Sequence, residues 1–243
     1  MYHGKKVSLI LPTFNEKDSI RRVIEDFERL DVVDEILVVN NNAAVGTSEE
    51  LRATSAREIF EPVQGYGQAI RRGFAEASGD LIVVCEPDDS FLATDIFKFL
   101  VFSDEVDVVY GSRTIKNYIW EGANMGRFLK WGNWFVAKLD EVLFNTNSLT
   151  DVGCTYRLVK KSALDRMMPY FRVKSNFFGP EMMIRGYLLG LKGVQIPVNY
   201  RERTGKSSVT GEFKKAFSLG IKMIILTIAM RFNIENCLIN LLE

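Results

Sequence analysis

Short apolar runs alternate with segments of helical period through the first half of the chain. Residues 7–11, 35–39, 81–85 and 107–110 read as β-strands. Each is closed by a polar group: Thr13-Phe14-Asn15-Glu16 behind Pro12, then Asn40-Asn41-Asn42, Glu86-Pro87-Asp88-Asp89, and Gly111-Ser112-Arg113. Between them Ile20, Val23, Ile24 and Phe27 recur on one helical face, as do Ala69, Ile70, Phe74 and Ala77. Thr47 with Glu50 three residues on predicts a capping box. Apolar strands joined by amphipathic helices predict an α/β fold, a Rossmann-like and mostly parallel sheet flanked by helices. In such sheets ligands bind outside the carboxyl ends of the strands, where all four polar groups fall. Any one of them alone could be a solvated turn, but four together point to a site.

The second half changes character. Residues 120–145 predict a long helix, broken at Gly126 or Gly132, that carries Trp120, Trp131 and Trp134 among Arg127, Lys130 and Lys138. Residues 150–158 read as a loop leading into a short strand, 194–200 as a strand around Pro197, 201–208 as a basic loop, and 213–232 as a final helix. This divides the chain into a domain over residues 1–210 and a C-terminal amphipathic helical segment over residues 211–243. In that segment Lys214, Lys215, Ser218 and Lys222 share a face, with Phe213, Phe217, Ile221, Ile224 and Ile225 elsewhere. The uncharged stretch from Met223 to Met230 spans about 12 Å, far short of the ~30 Å hydrocarbon core. The expectation is a helix in the membrane interface, with burial against the domain or a homodimer partner as the alternative.

Composition removes whole classes of chemistry. Thirty-one Lys and Arg balance 31 Asp and Glu, so there is no basic excess for nucleic acid. His3 is the one histidine and stands near an end expected to be mobile. A Ser-His-Asp triad or a His-ligated zinc site has almost nothing to be built from. Cys85, Cys154 and Cys237 lie in or beside apolar sequence and read as small buried hydrophobes in a reducing compartment. No apolar signal core precedes Val7, which predicts a cytoplasmic location.

Three groups are left to carry chemistry. Glu86-x-Asp88-Asp89 crowds three carboxylates behind a buried strand, and a hard divalent cation would relieve their repulsion. An acidic turn capping the helix that starts near Ala93 is the other reading. Gln64-Gly65-Tyr66-Gly67-Gln68 offers close backbone approach and free amides before a helix, or simply a turn. Arg113, Arg127, Arg157, Arg201, Arg203 and Lys206 suit oxyanions, the last three in a loop with Gly205, Ser207 and Ser208.

In this order the residues resemble family 2 glycosyltransferases, which have the GT-A fold. The resemblance is carried by 11–16, Val38-Val39-Asn40-Asn41, Gly65-x-Gly67-x-Ala69-x-x-x-Gly73, Ser78-Gly79-Asp80, Glu86-x-Asp88 and Gly111-Ser112-Arg113. Further on, Gly122-Ala123-Asn124, Asp151-x-Gly153-x-x-Tyr156-Arg157, Glu181, Pro197-Val198 and Arg203-x-Gly205-x-Ser207-Ser208 are similar to the dolichyl/polyprenyl-phosphate sugar transferase branch. The resemblance covers residues 7–209. It implies that Pro12, Phe14 and Glu16 hold the nucleotide base and ribose, that Asn41 stands where the family has an aspartate at the nucleoside, and that Gln68 flanks that pocket. It also implies that Glu86 and Asp88 hold Mg2+ or Mn2+ with the donor diphosphate, and that Ser90 is a further metal-side ligand. Arg113, Arg127 and Arg203 would face the acceptor phosphate or the departing diphosphate. Two positions depart from the family pattern: Asn40-Asn41 replaces Asp-Asp, and Glu86 replaces the first metal-motif aspartate.

The expected function is inverting, metal-dependent transfer of a sugar from a UDP- or GDP-sugar to a polyprenyl phosphate, with Asp88, Arg113, Asp151 and Arg203 at the reaction centre. An anionic acceptor needs no strong base, which suits a chain so poor in histidine. The protein is expected on the cytoplasmic face of the membrane as a peripheral protein. The alternatives are a saccharide hydroxyl as acceptor, with Asp151 or Glu181 as base, nucleotidyl transfer, and an inactive nucleotide-sugar-binding scaffold.

Overall fold

A computed structural model of the chain describes residues 1–123, 125–146, 148–205 and 213–242, apart from the side chains of 127, 213–216, 236 and 240–242. Its centre is one seven-stranded sheet: β1 (Val7–Thr13), β2 (Glu35–Asn40), β3 (Arg57–Phe60), β4 (Leu81–Val84), β5 (Val108–Ser112), β6 (Arg157–Lys160) and β7 (Gly193–Pro197), ordered β3-β2-β1-β4-β6-β5-β7. Every pairing is parallel except those of β6, which runs antiparallel to both β4 and β5. β3 was not expected from the sequence.

The two-residue period of the strands divides the core between the sheet faces. Leu9 and Leu11 join Ile20, Val23, Ile24 and Phe27 of α1 (Lys17–Glu28), Leu51 of α2 (Thr47–Leu51), and Ile96, Phe99 and Leu100 of α4 (Ile96–Phe102). Ile10 faces the other way, against Ala69, Ile70 and Phe74 of α3 (Tyr66–Glu76) and against α5 (Arg127–Phe144), α6 (Lys161–Met167) and α7 (Phe178–Leu188). Gly73 lets α3 lie directly on β1, since a Cβ there would meet the Ile10 side chain.

Several expectations are corrected. Thr47 does not cap its helix: its hydroxyl donates to the Ala44 carbonyl at 2.7 Å, and Gly46 holds the cap position. Gly126 precedes α5 while Gly132 lies within it unbroken, so Trp120 falls outside the helix and donates instead to Asn199 Oδ1 at 3.2 Å. The start of the chain is tied down: His3 Nδ1 is 3.1 Å from Asp104, and the Met1 amine is 3.0 Å from Asp34. Cys85 and Cys154 are buried, but Cys237 is exposed.

The C-terminal segment forms two helices, α8 (Phe213–Arg231) and α9 (Glu235–Leu242). α8 is apolar on two faces rather than one. Met223, Leu226, Ala229 and Met230 are buried, and α8 packs on α5 and α7. Phe217, Ile221, Ile225, Ile228 and Phe232 make an outward stripe at helical spacing. Of the polar face expected there, Lys214 and Lys215 lie outside the described side chains. No helix among the described residues is long and apolar enough to cross a membrane.

One buried carboxyl joins α5 to α8. Thr227 Oγ1 donates to Asp140 Oδ1 at 3.0 Å, and Oδ2 has no partner among the described residues. Burial pushes the Asp140 carboxyl up to about 7. The contribution is therefore neutral below the ordinary value of 3.8, and stability is lost as pH rises from there to about 7, the range in which the unfolded form is ionised and the folded one is not. Asp140→Asn should accordingly be more stable than the parent by about 1–3 kcal/mol at pH 8, a gap that closes towards pH 4. Urea denaturation at both pH values checks this.

Candidate functional site

The site is built at the carboxyl ends of β1, β2, β4 and β5. Behind β1, Glu16 folds back over its own turn: Oε2 accepts from Phe14 N at 2.7 Å, Asn15 N at 2.9 Å and Thr13 Oγ1 at 3.2 Å. Behind β2, Asn41 is a four-way tie. Its Nδ2 donates to the Glu61 and Val63 carbonyls, both at 2.8 Å, and its Oδ1 accepts from Gly65 N at 2.8 Å and Gln64 Nε2 at 3.1 Å. An aspartate could not make the two donations, which gives the departure at this position a physical reason. Asn41→Asp should lose about 1–3 kcal/mol in urea denaturation at pH 7. An unchanged midpoint would mean that the two carbonyls find other donors.

The carboxylate loop after β4 sends its three acids three ways. Asp89, in the left-handed region at φ 70°, turns away to pair with Arg22 and Arg201. Asp88 is buried; its Oδ1 accepts from Ser90 N at 3.0 Å and Ser90 Oγ at 2.6 Å, and its Oδ2 lies 3.2 Å from Arg203 Nη2. Arg203 also lies 3.7 Å from Glu16. Glu86 is half-buried, and burial followed by the charge of Asp88 pushes it up to about 8 against the pull of Arg203 and Arg113. The segment after β7 straps this loop in place, with Arg201 N donating to Ser90 O at 2.9 Å and Thr204 N to Asp88 O at 2.8 Å.

Behind β5, Arg113 is clamped by Asp151. Oδ2 accepts from Arg113 N and Nε, both at 2.9 Å, while Oδ1 accepts from Nη2 at 3.0 Å and from Gly153 N at 2.9 Å. Burial alone would raise the Asp151 carboxyl, but Arg113 and these bonds hold it below its ordinary value. With both oxygens so engaged it is not poised to take a proton, and it serves to orient Arg113. Glu181, the other base considered, accepts from Arg172 N at 2.8 Å and Val173 N at 3.0 Å and does not line the cleft. Arg157 is buried with three backbone carbonyls as acceptors and is structural.

These groups open on one cleft of about 850 Å3. Pro12, Phe14, Glu16, Asn41 and Gln64 form one group of its lining, and Glu86, Arg113 and Arg203 a charged group. Phe128, Trp131, Phe135 and Val136 of α5, with Phe217, Ile221 and Ile224 of α8, form its apolar part. Of the residues expected at the site, Pro12, Phe14, Glu16, Asn41, Glu86, Arg113 and Arg203 reach the cleft. Gln68 does not: two positions into α3 it has rotated away, and Gln64 and Tyr66 line the wall instead. Asp88, Ser90 and Asp151 stand behind the wall. The side chain of Arg127 and residues Asn124, Lys206, Ser207 and Ser208 lie outside the described residues. The sequence did not single out Thr155, an unassigned position within the Asp151–Arg157 motif, nor Ser175 or Asn133.

The donor set suits a hard divalent cation. Glu86 and Asp88 carry carboxylate oxygens that could serve as ligands, and the Glu86 carboxyl is pushed up by burial and by Asp88 beside it. No group of three or more His, Cys, Asp or Glu side chains capable of holding a metal occurs among the described residues. A metal here would need ligand oxygens from a bound phosphate.

Comparison with known proteins points one way. Residues 8–168 match the family model described as Glycosyl transferase family 2. A dolichyl-phosphate hexose transferase of Haloferax volcanii is 26% identical over 209 residues, covering 86% of this chain and 88% of the relative. An uncharacterized glycosyltransferase of Mycobacterium tuberculosis is 26% identical over 215 residues, covering 87% and 93%. Among solved structures, glucosyl-3-phosphoglycerate synthase of M. tuberculosis, in complex with Mn2+, UDP and glucosyl-3-phosphoglycerate, superposes with a TM-score of 0.73 at 18% identity, over 94% of this chain and 80% of that one. Its complex with Mg2+ and UDP gives 0.72 at 17% identity, over 94% and 79%. These superpositions match the mostly parallel sheet and flanking helices to the GT-A fold.

Proposed function

Because the chain belongs to glycosyl transferase family 2, we propose that this glycosyltransferase moves a hexosyl group from a nucleoside-diphosphate sugar to a polyprenyl phosphate, with inversion at the anomeric carbon. The observation that carries the reading is the continuity of the cleft. Polar residues behind β1 and β2, the guanidinium groups of Arg113 and Arg203, and an apolar part from α5 and α8 all line one space. A nucleotide suits the first group, two phosphates the second, and an isoprenoid chain the last. The Haloferax relative's name supports the acceptor class, and the neighbour's UDP complexes support the donor class.

In this reading the acceptor phosphate oxygen bonds to the anomeric carbon as the bond from that carbon to the diphosphate oxygen breaks. The electron pair leaves with the nucleoside diphosphate. Arg113, oriented by Asp151, and Arg203 stabilise the departing charge. The acceptor is already anionic, so no general base is required. Glu86 and Asp88 would hold Mg2+ or Mn2+, which supplies further electrostatic stabilisation of the diphosphate when bound. Residues 1–210 would carry the reaction, and α8 would close the apolar part of the cleft. The outward stripe of α8, with exposed Trp131 and Phe135 of α5, supports peripheral docking on the cytoplasmic face of a membrane, where the acceptor's chain lies. A homodimer over the same stripe is the competing use.

The test is transfer from labelled UDP- and GDP-sugars to polyprenyl phosphate in anionic vesicles with Mn2+, followed by organic extraction. Label in the organic phase is the expected result, with the protein pelleting with the vesicles. Label remaining in water with nucleotide released would assign a hydroxyl acceptor, and donor binding without turnover would assign a scaffold.

A further inference from the structure

Three hydroxyls on the wall of the cleft stand without a hydrogen-bond partner among the described residues. Tyr66 Oη, Thr155 Oγ1 and Ser175 Oγ are buried, belong to residues that line the cleft, and lack a hydrogen-bond partner among the described residues. They come from three separate segments: the first residue of α3, the loop leading into β6, and the loop before α7. The Tyr66 and Thr155 hydroxyls approach each other without meeting hydrogen-bond geometry. A buried polar atom without a partner is costly, and folds rarely leave three around one space unless a ligand or water meets them.

Their positions are fixed by the backbone. Gln68 N donates to the Lys174 carbonyl at 3.0 Å, and Gly65 lets the two strands of chain close, since a Cβ there would collide with that carbonyl oxygen. The start of α3 is therefore pinned to the loop that carries Ser175. Thr155 is held between Cys154 and Tyr156, both buried. Burial keeps the Tyr66 hydroxyl protonated.

The chemistry of the three selects the ligand. Each hydroxyl offers one donor and two acceptor lone pairs and carries no charge. A phosphate would be met by guanidinium groups, as Arg113 and Arg203 offer in the same cleft, and an isoprenoid by its apolar part. A neutral ring bearing several hydroxyls, each of which both donates and accepts, matches three rotatable hydroxyls. We propose that Tyr66, Thr155 and Ser175 form the pocket for the donor's pyranose ring and select the sugar by its pattern of hydroxyls. This rests on the donor reading above and deepens it.

Tyr66→Phe, Thr155→Val and Ser175→Ala each delete one hydroxyl and little else. Calorimetry with Mn2+ would compare UDP, GDP, UDP-glucose, UDP-galactose, UDP-N-acetylglucosamine and GDP-mannose on the full chain. Melting temperature would check that each variant folds. The expected result is that at least two of the variants keep the wild-type affinity for UDP or GDP within about twofold and lose about 10- to 100-fold towards the preferred sugar nucleotide. A singly deoxygenated form of that donor should lose affinity for wild type and not for the variant lacking the matching hydroxyl. Variants that weaken free nucleotide and sugar nucleotide equally, or neither, would overturn the pocket while leaving the donor reading intact. A wild-type chain that binds none of the sugar nucleotides would overturn both.

Discussion

Asp88→Asn should lower the rate of sugar transfer by about a thousandfold or more while leaving the fold intact. Asparagine keeps a carbonyl oxygen to accept from Ser90 N and Oγ, so the loop after β4 retains its shape. What it removes is the negative charge opposite Arg203 and beside Glu86. Arg203 is then freed to pair with Glu16 or Glu86, and the donor set for a divalent cation drops to one carboxylate. Steady-state kinetics with Mn2+ titrated over a wide range, beside a thermal melt, would read both halves of the expectation. Turnover within tenfold of wild type at every Mn2+ concentration would remove Asp88 from the reaction centre. Ser90→Ala is the graded companion. It takes away only the 2.6 Å hydroxyl bond to Asp88, so its effect should be a few-fold.

Asp151→Ala should be the most destabilising single change at the site, costing about 3–5 kcal/mol by urea denaturation at pH 7. Asp151 is fully buried and Arg113 nearly so. Removing the acid leaves a guanidinium in the interior with no counter-ion and strips three of its bonds, counting the backbone N–H of Arg113. The pH dependence has a definite sign. Asp151 is held below its ordinary value of 3.8, so its contribution is complete above that value and is lost as pH falls through the lower, folded one. Wild type should lose this increment on acidification below about pH 4, and Asp151→Ala should show no such loss. The double change Asp151→Leu with Arg113→Met should recover much of the stability but none of the activity. A cost under about 1 kcal/mol for Asp151→Ala would mean that water or another acid reaches Arg113.

The parts legible in the sequence are those in which one short stretch carries its own pattern. β1, β2, β4 and β5 announce themselves as apolar runs, and the topology of an open parallel sheet puts the polar groups behind them on one rim. β3 has no such run. It is an edge strand with only Ile59 buried, and Phe60 is exposed. Orientation within a motif was harder to read than the motif itself. Gln64–Gln68 was the right stretch, but where the helix begins decides that Tyr66 and not Gln68 faces the cleft. The left-handed turn at Asp89 likewise sends Asp88 and Ser90 inward. α9 follows a positive-φ Asn233 and is fixed by a buried pair, Arg185 with Glu235 at 2.7 Å, which no local pattern reports. Tyr66, Thr155 and Ser175 line one cleft only because three distant segments converge there.

The inverted strand also sets the order in which the sheet can be completed. β4 leaves the ribosome with its inner edge paired to β1 and its far edge open, and β5 follows without being able to close it. The strand that belongs between them, β6, is synthesised last of the three. At about 5–20 residues per second the far edge of β4 waits several seconds for its partner. During that time the adjacent positions invite β5, or a strand of another chain, into a slot that neither should fill. The vulnerable moment of this protein therefore belongs to its biosynthesis, and the completed sheet carries no trace of it.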